Sequence, residues 1–141
     1  MKLRNERQCS KVLVVFARDR ETLEEDFVGL ALDREQELYV REVVESPELQ
    51  CLTEEVKLRG WEGGYSENHK PELVYLVFRG GRAQNQGHSD DDFDPEIYGA
   101  FVDRQQAEWF AEKDRYIGQK IVPLHVWELK PGWISSNLRW D

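Results

Sequence analysis

The 141-residue chain carries 28 acidic residues against 19 lysines and arginines, a net charge of −9, and 40% of its residues are hydrophobic. That length fits one domain (1–141) with a real core. The charge disfavours direct nucleic-acid binding, and no apolar run is long enough to cross a membrane, so a soluble, cytoplasmic protein is expected. The acidity is regional: Asp19 to Glu55 holds thirteen acids against three bases, and the remaining residues sum to +1.

Residues 1–11 are polar and basic, the pattern of a loosely held terminus. Val12 to Ala17 reads VLVVFA, apolar on both alternations, and predicts a central strand over 12–17 covered on both faces. Asp19 or Thr22 then offers a helix cap, with Leu23, Phe27, Leu30 and Ala31 as a buried stripe, which predicts a helix over 21–32. Glu21, Glu24, Glu25 and Asp26 complement the positive end of its dipole and double as candidate partner-binding carboxylates. The valine-rich LYVREVV predicts a strand over 38–44. Ser46-Pro47-Glu48 has the form of a helix start and predicts a helix over 47–57.

The loop from Gly60 to Pro71 carries Trp61, Tyr65 and His69, which suit either a contact surface or a lid on the core. GWEGGY lacks the GxxxxGK spacing of a phosphate loop. LVYLVFR predicts a second central strand over 73–79, paired with 12–17 or with the last strand. The stretch 80–95 is an acidic Gly/Asp-rich loop whose single RGGR is too short to mark RNA binding. Asp90, Asp91 and Asp92 are candidate partner contacts. His88, Asp90, Asp92 and Asp94 are weak candidates for a divalent cation, although the run fails the EF-hand pattern at positions six and twelve.

A strand over 96–102 leads into a helix over 103–116, with Asp103 as N-cap, Gln106 three residues on, and Gly118 as its stop. The final strand, 121–129, contains Pro123 and so is an edge strand or starts after the proline. His125 on its apolar alternation reads as a packed residue. The tail 130–141 carries Trp133 and Trp140, which either clamp over the sheet or anchor a partner. Cys9 and Cys51 have no CxxC partner and read as free thiols.

Together these elements predict an α+β (or α/β) fold: about five strands with two or three helices, a ferredoxin-like core with an insertion, and no internal repeat. No catalytic constellation or cofactor motif emerges. The regional acidity and surplus tryptophans point to a small acidic protein-binding module, such as an inhibitor, immunity or phage-type anti-defence protein that masks a basic surface of another protein. The competing expectations are a divalent-metal-dependent hydrolase or nuclease using residues 88–94, with His125 as base, and a small-molecule sensor. Association with a second copy is left open.

Overall fold

The computed structural model describes residues 9–80, 95–121 and 123–136. Along the chain run β1 (Cys9–Asp19), β2 (Glu25–Ala31), α1 (Arg34–Val44), β3 (Leu49–Glu62), β4 (Val74–Arg79), β5 (Glu96–Phe101), α2 (Arg104–Lys113), a two-stranded hairpin of β6 (Tyr116–Ile117) and β7 (Lys120–Ile121), and β8 (His125–Leu129). This is an α+β fold. Six strands form one sheet in the order β2-β1-β3-β5-β4-β8, in which only β3 and β5 run parallel.

The sheet is curled until its two edges meet. Phe27 on β2 lies edge-on to Trp127 on β8, with ring centroids 5.0 Å apart, although these strands stand at opposite ends of the order. The chain after β8 turns at Gly132 and returns along β2: Gly132 N–H donates to the Leu30 carbonyl, Leu30 N–H to the Trp133 carbonyl, and Ser135 N–H to the Val28 carbonyl. Trp133 thereby packs against the inner core beside Trp127, at 4.7 Å, while Ile134 packs on the outer α1 layer. Of the two readings of this tail, Trp133 follows the clamp; Trp140 lies outside the described residues.

Alternation along the strands divides the apolar residues into three groups. Val12, Val14, Phe16, Phe27, Leu30, Leu58, Leu76 and Phe78 fill the concave interior. Val15, Ala17 and Val28 face outward under Val40 and Val44 of α1. Val77 and Phe101 face outward under Ala107 and Ala111 of α2.

The chain is a tandem of two β-β-α-β units, contrary to the expectation of no repeat. β1, β2, α1 and β3 correspond to β4, β5, α2 and β8, and in each unit the first strand lies between the other two. Gly29-Leu30-Ala31-Leu32-Asp33-Arg34-Glu35-Gln36 matches Gly99-Ala100-Phe101-Val102-Asp103-Arg104-Gln105-Gln106 in four of its eight positions. Both hairpins carry the same bulge: Val15 pairs with Gly29 and Phe16 with Phe27, just as Val77 pairs with Gly99 and Phe78 with Ile97. The two aspartates are both helix N-caps, Asp33 accepting from the Gln36 amide at 2.9 Å and Asp103 from the Gln105 amide at 3.0 Å. This strand order does not reproduce a ferredoxin-like core.

Three elements of the first unit differ from expectation. Residues 21–32 are not a helix: Asp19 accepts from the Glu21 and Thr22 amides to make a turn, Leu23 takes a positive φ of 68°, and Glu25–Ala31 returns as β2. Asp26 to Ala31 is buried throughout because the sheet is covered on both sides, and a fully buried strand shows the i, i+3, i+4 spacing of a helix by coincidence. Residues 38–44 are the body of α1, not a strand. Its start lies upstream, where the Asp33 cap is joined by Gln36 accepting from the Leu32 amide.

Residues 47–57 are not a helix either. Ser46 Oγ accepts from the Glu48 and Leu49 amides, the hydrogen bonds of a cap, but the chain then enters β3 and pairs with β1. The second unit follows its reading: β4 pairs with β5 and the final strand, α2 starts at its Asp103 cap, and β8 is an edge strand beginning after Pro123. The helix stops earlier than expected, at Lys113, and Gly118 turns the β6–β7 hairpin.

Candidate partner-binding surface

Helix α1 has two stripes. Glu37, Val40 and Val44 face inward, and Glu37 is held there by Arg34 at 3.0 Å and Arg41 at 3.5 Å. Burial works against the Glu37 carboxylate, but hydrogen bonds with Thr53, Arg34 and Arg41 outweigh it and leave its pKa below the usual value. The opposite face carries Glu35, Leu38, Tyr39, Glu42 and Val43, spaced i, i+3, i+4, i+7 and i+8. Leu38, Tyr39 and Val43 are 48%, 57% and 47% exposed. Covering the exposed half of each is worth about 1 kcal/mol, half of a full side-chain burial.

The second unit shows that the fold does not require this stripe. The corresponding positions on α2 are Gln105, Glu108, Trp109, Glu112 and Lys113, and the one aromatic among them has the Lys113 ammonium 4.6 Å from its ring centroid. The same helix face on the same scaffold carries three exposed apolar or aromatic side chains in one copy and one, Trp109, in the other.

Beside the α1 stripe lies a groove of about 510 Å³ between Asp33, Glu35 and Tyr39 on the helix and Tyr65, Glu67 and Lys70 on the loop after β3. Glu35, Glu67 and the capping Asp33 line the groove with Lys70, a net negative lining that favours a cationic occupant. Its loop wall is anchored: Tyr65 Oη donates to the Lys11 carbonyl at 2.9 Å, Ser10 Oγ bonds the Gly63 carbonyl, and Trp61 stacks on His69 with centroids 4.5 Å apart. Burial raises the Tyr65 phenol pKa. Trp61 and Tyr65 both pack against the inner core, so Trp61 acts as a lid, while Tyr65 also walls the groove.

The sequence-predicted site residues do not come together as one patch. Glu21 and Glu24 are exposed on the β1–β2 turn, and Glu25 pairs with Arg18 at 2.6 Å. Asp26 is buried, with its carboxylate accepting from the Phe27 amide, which makes it part of the fold and not of a surface. This turn is at the Asp19 end of β1, whereas Trp61 and Tyr65 are at its Cys9 end, roughly 30 Å away at ~3.3 Å per residue. Asp90, Asp91, Asp92 and Trp140, and the cation candidates His88 and Asp94, lie outside the described residues. His125 is half-buried, its ring 5.5 Å from that of Phe78. Among the described residues, no three His, Cys, Asp or Glu side chains are grouped to hold a metal ion.

Residues 38–44 gather the outward stripe on one face only as a helix. The signal that finds it is the repeat itself: aligning Asp33 with Asp103 places a helix over 34–44 and exposes the contrast between Leu38 and Glu108. Comparison with protein-family models, with curated proteins and with solved structures finds no match to this chain.

Proposed function

We propose that the protein is a binding module that covers a basic, partly apolar surface of another protein, as an inhibitor or immunity-type factor does. The observation that carries this reading is the exposed Leu38, Tyr39 and Val43 stripe beside Glu35 and Glu42, on a helix whose counterpart keeps only Trp109 among polar residues. Apolar side chains supply affinity at the centre of such a contact, and the flanking carboxylates select a basic partner and speed its approach. Much of the acidity between Asp19 and Glu55 is consumed internally, by the Asp33 cap, buried Asp26 and Glu37, and ion pairs of Glu25, Glu45 and Glu55. Glu35 and Glu42 remain exposed beside the stripe.

The test is affinity capture at low and at moderate salt, comparing wild type with the L38S/Y39S/V43S variant. Each of these side chains is about half covered in the folded chain, so truncation to serine costs up to about 1 kcal/mol apiece, and capture is run well below the measured melting temperature of the variant. The expected result is a stoichiometric basic partner that the triple variant loses at both salts, whereas E35Q/E42Q weakens capture chiefly at low salt, where the two carboxylates are least screened. W109S is the matched control and should retain the partner. Capture unchanged by the triple variant, or no partner at either salt, would count against the reading.

A further inference from the structure

The two seams between the repeat units are closed to different degrees. Beside β2, the returning segment Gly132–Ser135 supplies three main-chain hydrogen bonds and drives Trp133 inward, and Phe27 is fully buried. The corresponding seam joins β3 to β5, where pairing is limited to Leu58 with Ala100 and Arg59 with Phe101. Toward the other end of the barrel, β3 pairs with β1 alone among the described residues. Side chains that should be interior record the opening. Ile97, the counterpart of Phe27, is only half-buried, as are Leu52 and Val56. Glu54 stands on the same alternation, opposite the fully buried Val14, and yet is exposed.

The free backbone on this edge can be assigned. On β3 the odd-numbered residues turn their polar groups to the seam: the Arg59 carbonyl accepts from the Val102 amide, and the Cys51 amide donates to Glu45 while its carbonyl accepts from Arg41. Between these satisfied ends, the seam-side groups of Thr53, Glu55 and Lys57 have no main-chain partner among the described residues. An unpaired strand edge is a template for another strand. The charge there is acidic: Glu54 faces inward and Glu96 borders the gap from β5, and burial, followed by repulsion from Glu96, raises the Glu54 pKa.

We propose that the gap between β3 and β5 takes an extended segment of a partner protein, added as a strand along Thr53 to Lys57 with a basic side chain turned toward Glu54. The chain supplies the template for such an occupant, because Trp133–Ser135 closes the other seam by strand pairing with an inward side chain. This site is separate from the α1 face and does not depend on it.

The probe is a short capped peptide alternating valine and threonine about a central lysine, with a glutamate-centred peptide as control, and the readout is amide hydrogen exchange. In the free protein the Thr53, Glu55 and Lys57 amides should exchange at near-unprotected rates, and saturating lysine peptide should slow them by about tenfold or more. E54K should lose the response to the lysine peptide and gain it for the glutamate peptide, with its melting unchanged. Protection of these amides in the free protein, or no protection by the lysine peptide, would overturn the proposal. Protection that appears on concentrating the protein alone would assign the gap to a second copy and overturn it equally.

Discussion

Replacing Phe27 by alanine is expected to cost about 3–5 kcal/mol, whereas Ile97→Ala, at the corresponding position of the second unit, should cost only about 1–2 kcal/mol. Phe27 is fully buried and lies at the centre of an aromatic cluster, with ring centroids 6.2 Å from Phe16, 5.3 Å from Phe78, 5.0 Å from Trp127 and 6.3 Å from Trp133. Three of these contacts are edge-on, the arrangement that aromatic quadrupoles favour. Truncation therefore removes a large buried area and leaves a cavity whose walls come from both edges of the curled sheet. Ile97 stands at the open seam, where water already covers part of the side chain and the space left by truncation can be solvated. Urea denaturation of the two variants measures the difference. Equal costs would mean that the β3–β5 seam is as dry as its counterpart, and would remove the basis for strand addition there.

The two halves of the molecule differ in how openly their sequences state the fold, although they share it. In the second unit, Leu73 to Arg79 and Ile97 to Val102 are compact apolar runs, and the helix between Asp103 and Lys113 shows a short stripe built on Ala107 and Ala111. Each period is distinct. The first unit confuses the periods. β2 is apolar on both faces because it lies between the inner core and α1, so Phe27, Leu30 and Ala31 satisfy helical spacing as well as strand spacing. Helix α1 carries apolar residues on both its inward and its outward face, and its valines favour a strand locally; tertiary packing of Val40 and Val44 on the sheet overrides that preference.

The repeat relates the two units over a long range of sequence. The shared glycine, aspartate, arginine and glutamine of GLALDREQ and GAFVDRQQ carry the second unit's clear pattern onto the first. Of the surface, the acidic bias was legible, but its distribution was not. Asp26 and Glu37 are acids that composition counts as surface charge and that the fold buries. The α1 stripe became visible only once the residues were wound into a helix, since as a strand Leu38 and Tyr39 fall on opposite faces.

Gly29→Ala should destabilise the protein by roughly 2 kcal/mol, and Val40→Ala should recover part of that loss in the double variant. Gly29 has an ordinary backbone conformation, so the cost is one of space. A Cβ built there would lie 2.4 Å from Val40 Cγ1 and 3.3 Å from the Trp133 carbonyl oxygen. Neither neighbour yields freely: Val40 is fully buried between α1 and the sheet, and the Trp133 carbonyl accepts from the Leu30 amide that helps close the seam. Alanine therefore pushes α1 or the closing segment outward, and the resulting loss of packing exceeds the about 0.5–1 kcal/mol gained by restricting the unfolded glycine. At Gly99 the nearest atoms are Phe101 Cε1 at 2.9 Å and Cζ at 3.4 Å and Phe110 Cε2 at 3.5 Å; the closest approach is longer than at Gly29 and involves no backbone atom, so Gly99→Ala should cost less. In a cycle of Gly29→Ala, Val40→Ala and the double variant, the clash predicts that the double variant is more stable than the sum of the single losses allows. Strict additivity would show that α1 does not rest on Gly29, and the tight seating that holds the outward face of this helix in place would have to come from elsewhere in the first unit.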